Sequence, residues 1–191
     1  VTRDVDVAEE LLRIYGFNEV PVPDQMRISV AQHDPRPEKI ERSVLDQLTG
    51  NGFFEIMNNS LAKGGDYTTL QPEVSASLIE MLNPLSLDLN VMRNNLLFGG
   101  IQAISFNQKR QHPNLRFFER GKTDGKGSNG YYENTQLDLF AAGAQREDYW
   151  NSASQQNDYF WLKGTLEALF NRLEVSVSFT TAEHSLYGEF V

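Results

Sequence analysis

The sequence predicts an α+β fold built on a mostly antiparallel sheet. Three observations predict it. Apolar residues recur at helical spacing in four separate stretches, and shorter alternating segments stand between them. A run rich in glycine, asparagine and serine, TDGKGSNGYYEN, lies between two alternating segments as a hairpin link does. No internal repeat is visible.

Val7, Leu11, Leu12 and Ile14 cover one side of a helix that Gly16 ends, and the pattern reads as the tail of a helix beginning ahead of Val1. Pro21 and Pro23 then impose extended backbone, making GFNEVPVPDQ the best domain boundary: residues 1–20 read as the C-terminal tail of a preceding domain and 21–191 as the core domain. From Pro37 to Leu48 a second helix is signalled by Pro35 or Pro37 at its start, a stripe of Ile40, Val44, Leu45 and Leu48, and the stops Gly50 and Gly52. Phe53 to Leu61 reads as a strand, KGGDYTTLQPE as a polar interlude with a helical turn, and Ser77 to Leu82 as an extended run closed by Asn83 and Pro84.

Leu97, Ile101 and Ile104 mark a helix over Leu96 to Gln108. Gly99 and Gly100 lower its propensity by nearly 1 kcal/mol each and point to close packing against that turn. Leu115, Phe117 and Glu119 alternate with Arg116, Phe118 and Arg120 before Gly121, and Gln136 to Ala142 is a second strand, so the two form a long-looped antiparallel pair. Trp150 falls in a polar loop. Phe160, Leu162, Leu166, Leu169 and Phe170 define a helix over Asp158 to Leu173, and Val175, Val177 and Phe179 alternate as a final strand.

Composition narrows the function classes. The 191 residues, 40% of them hydrophobic, suffice for one substantial core. The lack of cysteine excludes disulfides, thiolate metal sites and cysteine nucleophiles, and suits a reducing, cytoplasmic setting. No apolar run approaches the roughly 20 residues that cross a bilayer, and VTRDVDVAEE lacks the basic start and apolar centre of a signal peptide, so no membrane association is expected. A formal charge of −9 repels a phosphate backbone and argues against a main nucleic-acid-binding surface. The most basic neighbourhood, Lys109, Arg110, His112, Arg116, Arg120, Lys122 and Lys126, reads as a solvated surface or a subunit contact.

His33, His112 and His184 stand far apart, with no carboxylate or second histidine at ligand spacing, so neither zinc nor a catalytic dyad is expected. Ser60, Ser86 and Ser105 lack a nucleophile-elbow context, and DGKGSNG lacks the spacing of a phosphate loop.

Asn83-Pro84-Leu85-Ser86 and Val91-Met92-Arg93-Asn94-Asn95-Leu96-Leu97-Phe98-Gly99-Gly100 resemble the NPLS and LRxSLLPGL blocks of the phenylalanyl-tRNA synthetase β subunit family. Asn107 to Arg110 continues the likeness. Leu115 to Gly121 is similar to the family's LFEIG strand, Asp158-Tyr159-Phe160-Trp161-Leu162-Lys163-Gly164 to its DFFDLKG helix start, and Glu9 to Phe17 to its EEVARIYGYD segment. The blocks follow the family's order over nearly the entire chain. The Phe98-Gly99 pair stands in place of the usual proline-glycine pairing, and Arg120 stands where isoleucine is common.

The resemblance implies a class II synthetase-like fold, an antiparallel sheet flanked by helices, in a bacterial β subunit whose copy of the fold is a non-catalytic scaffold. It also implies an α subunit partner in an α2β2 enzyme that ligates phenylalanine to tRNA(Phe), with ATP bound by α and the Pro37 to Leu48 helix packing against it. An active class II site needs an arginine just past the second-motif strand for the α-phosphate and another in a later glycine-rich motif. Here Gly121 is followed by Lys122, Thr123 and Asp124, leaving Arg116 and Arg120 as substitutes, and no GxGxxR-type segment occurs. The non-catalytic reading fits best. The alternative is an active amino-acid-activating or amino-acid-binding class II paralogue.

Asp6, Glu9 and Glu10, at i, i+3 and i+4, put three like charges on one helical face, which a magnesium ion would relieve. Acidic residues early in a helix are also favoured by its dipole with no metal present. The resemblance implies that these three residues are ligands of a magnesium site shared with the α subunit, with a further family aspartate expected just before Val1.

Overall fold

The computed structural model describes residues 3–26, 28 and 36–180. The chain divides into two compact units, Val1–Pro35 and Arg36–Val191. His33, His184 and the proline at 35 lie outside the described residues.

The first unit carries helix α1, Asp4–Tyr15, and a 3-10 turn, Phe17–Glu19. The helix starts at Asp4 and not ahead of Val1, because Arg3 is extended and its backbone N–H donates to the Asp6 carboxylate at 3.4 Å. Gly16, at φ 100°, ends it and donates its N–H to the Leu12 carbonyl. Leu11 and Ile14 on the predicted stripe are exposed.

The second unit opens with α2, Arg36–Gly50, followed by β1, Phe54–Glu55, and β2, Leu61–Ala62. Helix α3, Gly64–Leu70, and a 3-10 turn, Pro72–Ser77, lead to β3, Val91–Met92, and to α4, Leu97–Gln108. Strands β4, Leu115–Gly127, and β5, Gly130–Ala142, form a long hairpin. A small pair, β6, Ala144–Arg146, and β7, Gln155–Gln156, precedes α5, Tyr159–Arg172.

The main sheet runs β1-β4-β5, with β1 parallel to β4 and β4 antiparallel to β5. The β2–β3 and β6–β7 pairs are antiparallel too, so the predicted fold class holds. Helices flank the hairpin on both faces. Phe118 points to one side with Leu48, Phe53, Leu139 and Trp161, where α2 and α5 pack. Leu115, Phe117 and Phe140 point to the other, against Leu97 and Ile104 of α4. A third cluster, Tyr67, Leu78, Val91 and Phe98, joins α3 and β3 to α4. No described helix is long and apolar enough to cross a membrane.

In the second unit, three sequence expectations are corrected. The Phe53 to Leu61 strand is split into β1 and β2, because between them the Asn58 backbone N–H and side chain turn to the Glu119 carboxylate instead of a ladder. The hairpin loop is two residues and not twelve: β4 and β5 stay paired from Leu115↔Ala142 out to Gly127↔Gly130. The run Val175 to Phe179 forms no strand among the described residues. Its backbone turns at Glu174 (φ 58°), and Val175, Val177 and Phe179 remain exposed.

Candidate functional site

Below β2 and β3, on the α4 face of the hairpin, lies a cavity of about 270 Å³ lined by residues including Asn58, Lys63, Asp66, Tyr67, Arg93 and Asn95. Its floor is Arg93. The residue follows β3 directly; its N–H donates to the Ser60 carbonyl at 2.9 Å and its own carbonyl accepts from Asp124 N–H at 2.8 Å, so its backbone is pinned from both sides. The guanidinium donates through Nε to the Lys122 carbonyl at 2.8 Å and through Nη1 to Glu119 Oε1 at 2.6 Å and the Asn58 carbonyl at 3.3 Å. The Arg93 side chain is 9% exposed and that of Glu119 1%.

Strand alternation explains why Glu119 is there. It shares the inward face with Leu115 and Phe117, and a buried carboxylate in that position needs a charged partner and hydrogen-bond donors. Gly121, next on the same face, makes the room: a Cβ there would stand 2.4 Å from Arg93 Nη2. The following asparagines are equally committed. Asn94 donates its N–H to the Tyr67 hydroxyl at 3.1 Å and its side-chain amide to the Asp124 carbonyl at 3.1 Å. Asn95 donates to Gln71 Oε1 at 2.6 Å and accepts from the Leu97 N–H at 3.2 Å, tying the start of α4. Burial pushes the Tyr67 hydroxyl above its ordinary pKa.

The electrostatics of the cavity follow. Its two lining cations are both matched: Arg93 by Glu119, and Lys63 by Asp88 at 3.2 Å. Asp66 adds a further acid to the lining. The cavity therefore presents hydrogen-bonding amides and no surplus positive charge.

The predicted substitutes, Arg116 and Arg120, do not reach it. Both lie on the opposite face of β4, where Arg116 donates to the Gln145 carbonyl and stands 5.0 Å over the Trp161 ring, and Arg120 pairs with Glu41 of α2 at 2.8 Å. The basic neighbourhood is likewise dispersed: Lys122 pairs with Glu133 at 2.6 Å, and Arg110 covers the Phe106 ring at 3.3 Å. On α1, Asp6 pairs with Arg3 at 3.1 Å and Glu10 with Arg13 at 3.3 Å. These carboxylates suit magnesium, a hard cation that takes oxygen ligands. Among the described residues, however, no three His, Cys, Asp or Glu side chains converge to hold an ion. The Arg93–Glu119 pair itself went unread in the sequence, although a glutamate at an inward position of an alternating strand is a signal that a cation must meet it.

Glu119 also faces Asp138 directly across the β4–β5 ladder. Burial raises the Asp138 pKa above its ordinary 3.8, and the Glu119 charge raises it further. The folded state thus binds this proton more tightly than the unfolded state, so the contribution of Asp138 to stability falls as pH rises through its folded value. Urea unfolding at a series of pH values is expected to show Asp138→Asn gaining on the wild type as pH increases from about 3.8. A difference independent of pH would contradict this reading.

The model of the family described as the phenylalanyl tRNA synthetase beta chain CLM domain matches residues 23–189. The phenylalanine–tRNA ligase beta subunit of Bacteroides fragilis is 38% identical over 184 residues, covering 91% of this chain and 22% of that protein. Its counterpart from Porphyromonas gingivalis is 36% identical over 202 residues, covering 98% and 25%. The chain spans a quarter or less of the length of these relatives. Two solved structures share the fold: PylSc of Desulfitobacterium hafniense, a pyrrolysyl tRNA synthetase, with a TM-score of 0.54, 14% identity and coverage of 90% of this chain and 51% of that one; and an ATP phosphoribosyltransferase regulatory subunit/histidyl-tRNA synthetase from Bacillus halodurans, with 0.54, 17%, 82% and 40%. The architecture is that of a class II synthetase-like domain, and the match over most of its length shows that the chain belongs to the phenylalanyl tRNA synthetase beta chain CLM domain family.

Proposed function

We propose that this chain is the non-catalytic, synthetase-like module of a bacterial phenylalanyl-tRNA synthetase β subunit, with residues 1–20 as the tail of the domain before it. Its task is to support assembly with an α subunit in a cytoplasmic α2β2 enzyme that ligates phenylalanine to tRNA(Phe), the ATP being bound by α. The observation that carries the reading is the neutralised cavity. Binding and activating a triphosphate needs cations aimed at developing charge, and here Arg93 and Lys63 are already matched by Glu119 and Asp88.

The assembly surface in this reading is α2. Ile40 is 56% exposed on that helix and lies with Val44, Leu45 and Leu137 along a shallow apolar depression. Coexpression with an α subunit followed by sizing and titration tests it. Ile40→Glu is expected to weaken association about tenfold or more, since losing an interface anchor costs on the order of 2 kcal/mol. Unchanged assembly would remove α2 from the interface.

Magnesium enters the proposal through Asp6, Glu9 and Glu10, whose carboxylates would be part of an oxygen ligand set completed by the α subunit and water. Calorimetric titration of the assembled heteromer checks this. Glu9→Ala with Glu10→Ala is expected to abolish a magnesium binding step seen in the wild type, and identical isotherms would withdraw these ligands.

A further inference from the structure

We propose that the floor of the cavity is an oxyanion site occupied by an internal ligand, the Glu119 carboxylate, and that Glu119 is the residue that keeps the cavity from taking small external oxyanions. The proposal rests on the scaffold reading above and specifies how the site is closed.

Three donors converge on this one carboxylate. Arg93 Nη1 reaches Oε1 at 2.6 Å, the Asn58 N–H reaches Oε1 at 3.1 Å, and Asn58 Nδ2 reaches Oε2 at 2.6 Å. A guanidinium, a backbone N–H and an amide meeting two oxygens is the donor set that binds a carboxylate or a phosphate wherever one is held. Each donor residue has a further anchor besides Glu119. Arg93 is fixed by the Lys122, Ser60 and Asp124 backbone contacts. Asn58 is wedged against Gly99, where an added Cβ would stand 3.0 Å from its own Cβ.

The second observation is continuity. Arg93 and Asn58 both line the cavity of about 270 Å³, whereas Glu119, 1% exposed, approaches them from the strand behind. Shortening the side chain at 119 therefore joins the cavity to three oriented donors and leaves one buried guanidinium without its counter-charge. That combination selects a small oxyanion: formate or acetate in place of the lost carboxylate, or inorganic phosphate reaching in from the cavity.

The test uses Glu119→Ala in the full chain, unfolded thermally in formate, acetate or phosphate against chloride at matched ionic strength. Anion binding to the folded state alone raises the Tm with concentration. A rise of roughly 5–10 °C is expected at a concentration about 100 times the Kd. The wild type should show no difference between these anions and chloride, and Arg93→Met with Glu119→Ala should lose the rise. Where Glu119→Ala does not fold in chloride, recovery of the folded far-UV signal in formate supports the proposal equally. Equal behaviour in formate, acetate, phosphate and chloride overturns it, as does a rise that survives loss of Arg93. Neither result bears on the scaffold reading, which is decided by the catalytic competence of the unaltered chain.

Discussion

Replacing Arg93 with Met is expected to destabilise the second unit by about 3–5 kcal/mol, because it leaves the Glu119 charge buried and uncompensated. The pair is 2.6 Å apart with side chains 9% and 1% exposed, so the carboxylate left behind stays far from bulk solvent. The Lys122 and Asn58 carbonyls lose their donor in the same step. A fall in Tm of roughly 6–20 °C should follow at this chain size. Arg93→Met with Glu119→Leu removes both charges and is expected to be more stable than Arg93→Met alone. The exposed pair Lys122–Glu133 serves as the control: side chains 65% and 52% exposed make Lys122→Ala a change of about 0.5 kcal/mol or less. Urea unfolding that finds Arg93→Met within that same margin of the wild type would show the buried pair to be unimportant for stability.

The second large effect is expected at Gly100. A Cβ there would lie 2.1–2.4 Å from three ring atoms of Phe140, itself 7% exposed in the α4 face of the core. Alanine gains about 1 kcal/mol of helix propensity over glycine, but overpacking a core of this kind costs about 1–3 kcal/mol. With a buried ring and not a flexible chain end in the way, the packing term wins. Gly100→Ala should be destabilising by about 1–2 kcal/mol, and Gly100→Val by more. Gly164 in α5 has nothing within 4 Å of a built Cβ, so Gly164→Ala should gain about 0.5–1 kcal/mol and isolates the propensity effect. Combining Gly100→Ala with Phe140→Leu should cost less than the sum of the two, and strict additivity would mean that the ring is not what the methyl meets.

Gly100 also shows how far the sequence carries. The apolar spacing of Leu97, Ile101 and Ile104 and the paired glycines announced a helix with something packed close against it, and α4 and Phe140 are that helix and that neighbour. The Asp158 to Leu173 pattern was equally plain, down to Asp158, whose carboxylate caps α5 by accepting the Trp161 N–H at 2.7 Å. The outer half of the hairpin was not legible as strand because its inward positions are Gly121, Thr123 and Gly125, which carry no apolar signal. Their cover comes from elsewhere in the fold: Arg93 and Leu96 lie over Gly121, and Tyr132, the ladder partner of Gly125, lies over Gly125. The alternation of Val175 to Phe179 misled for the converse reason, since a period of two specifies a strand only where an edge is free to pair it.

Of the candidate site, the sequence offered two arginines that the fold turns away from the cavity. The absence of an arginine after Gly121 was visible directly. Whether Arg116 and Arg120 could replace it depended on which face of β4 they share, and even-numbered positions on that strand turn toward α2 and α5 with Phe118. Arg93 could not be matched to Glu119 by spacing, since the two are 26 residues apart and meet only because β3 leads into the cavity that β4 backs.

The most direct measurement is ATP–pyrophosphate exchange by the purified chain with phenylalanine and magnesium, alongside the assembled heteromer as a positive control. With Arg93 bound to Glu119 and Lys63 to Asp88, the chain alone should exchange at the rate of a no-enzyme blank while the heteromer turns over. Exchange by the chain alone that tracks its concentration and is saturable in amino acid would contradict the account at its root.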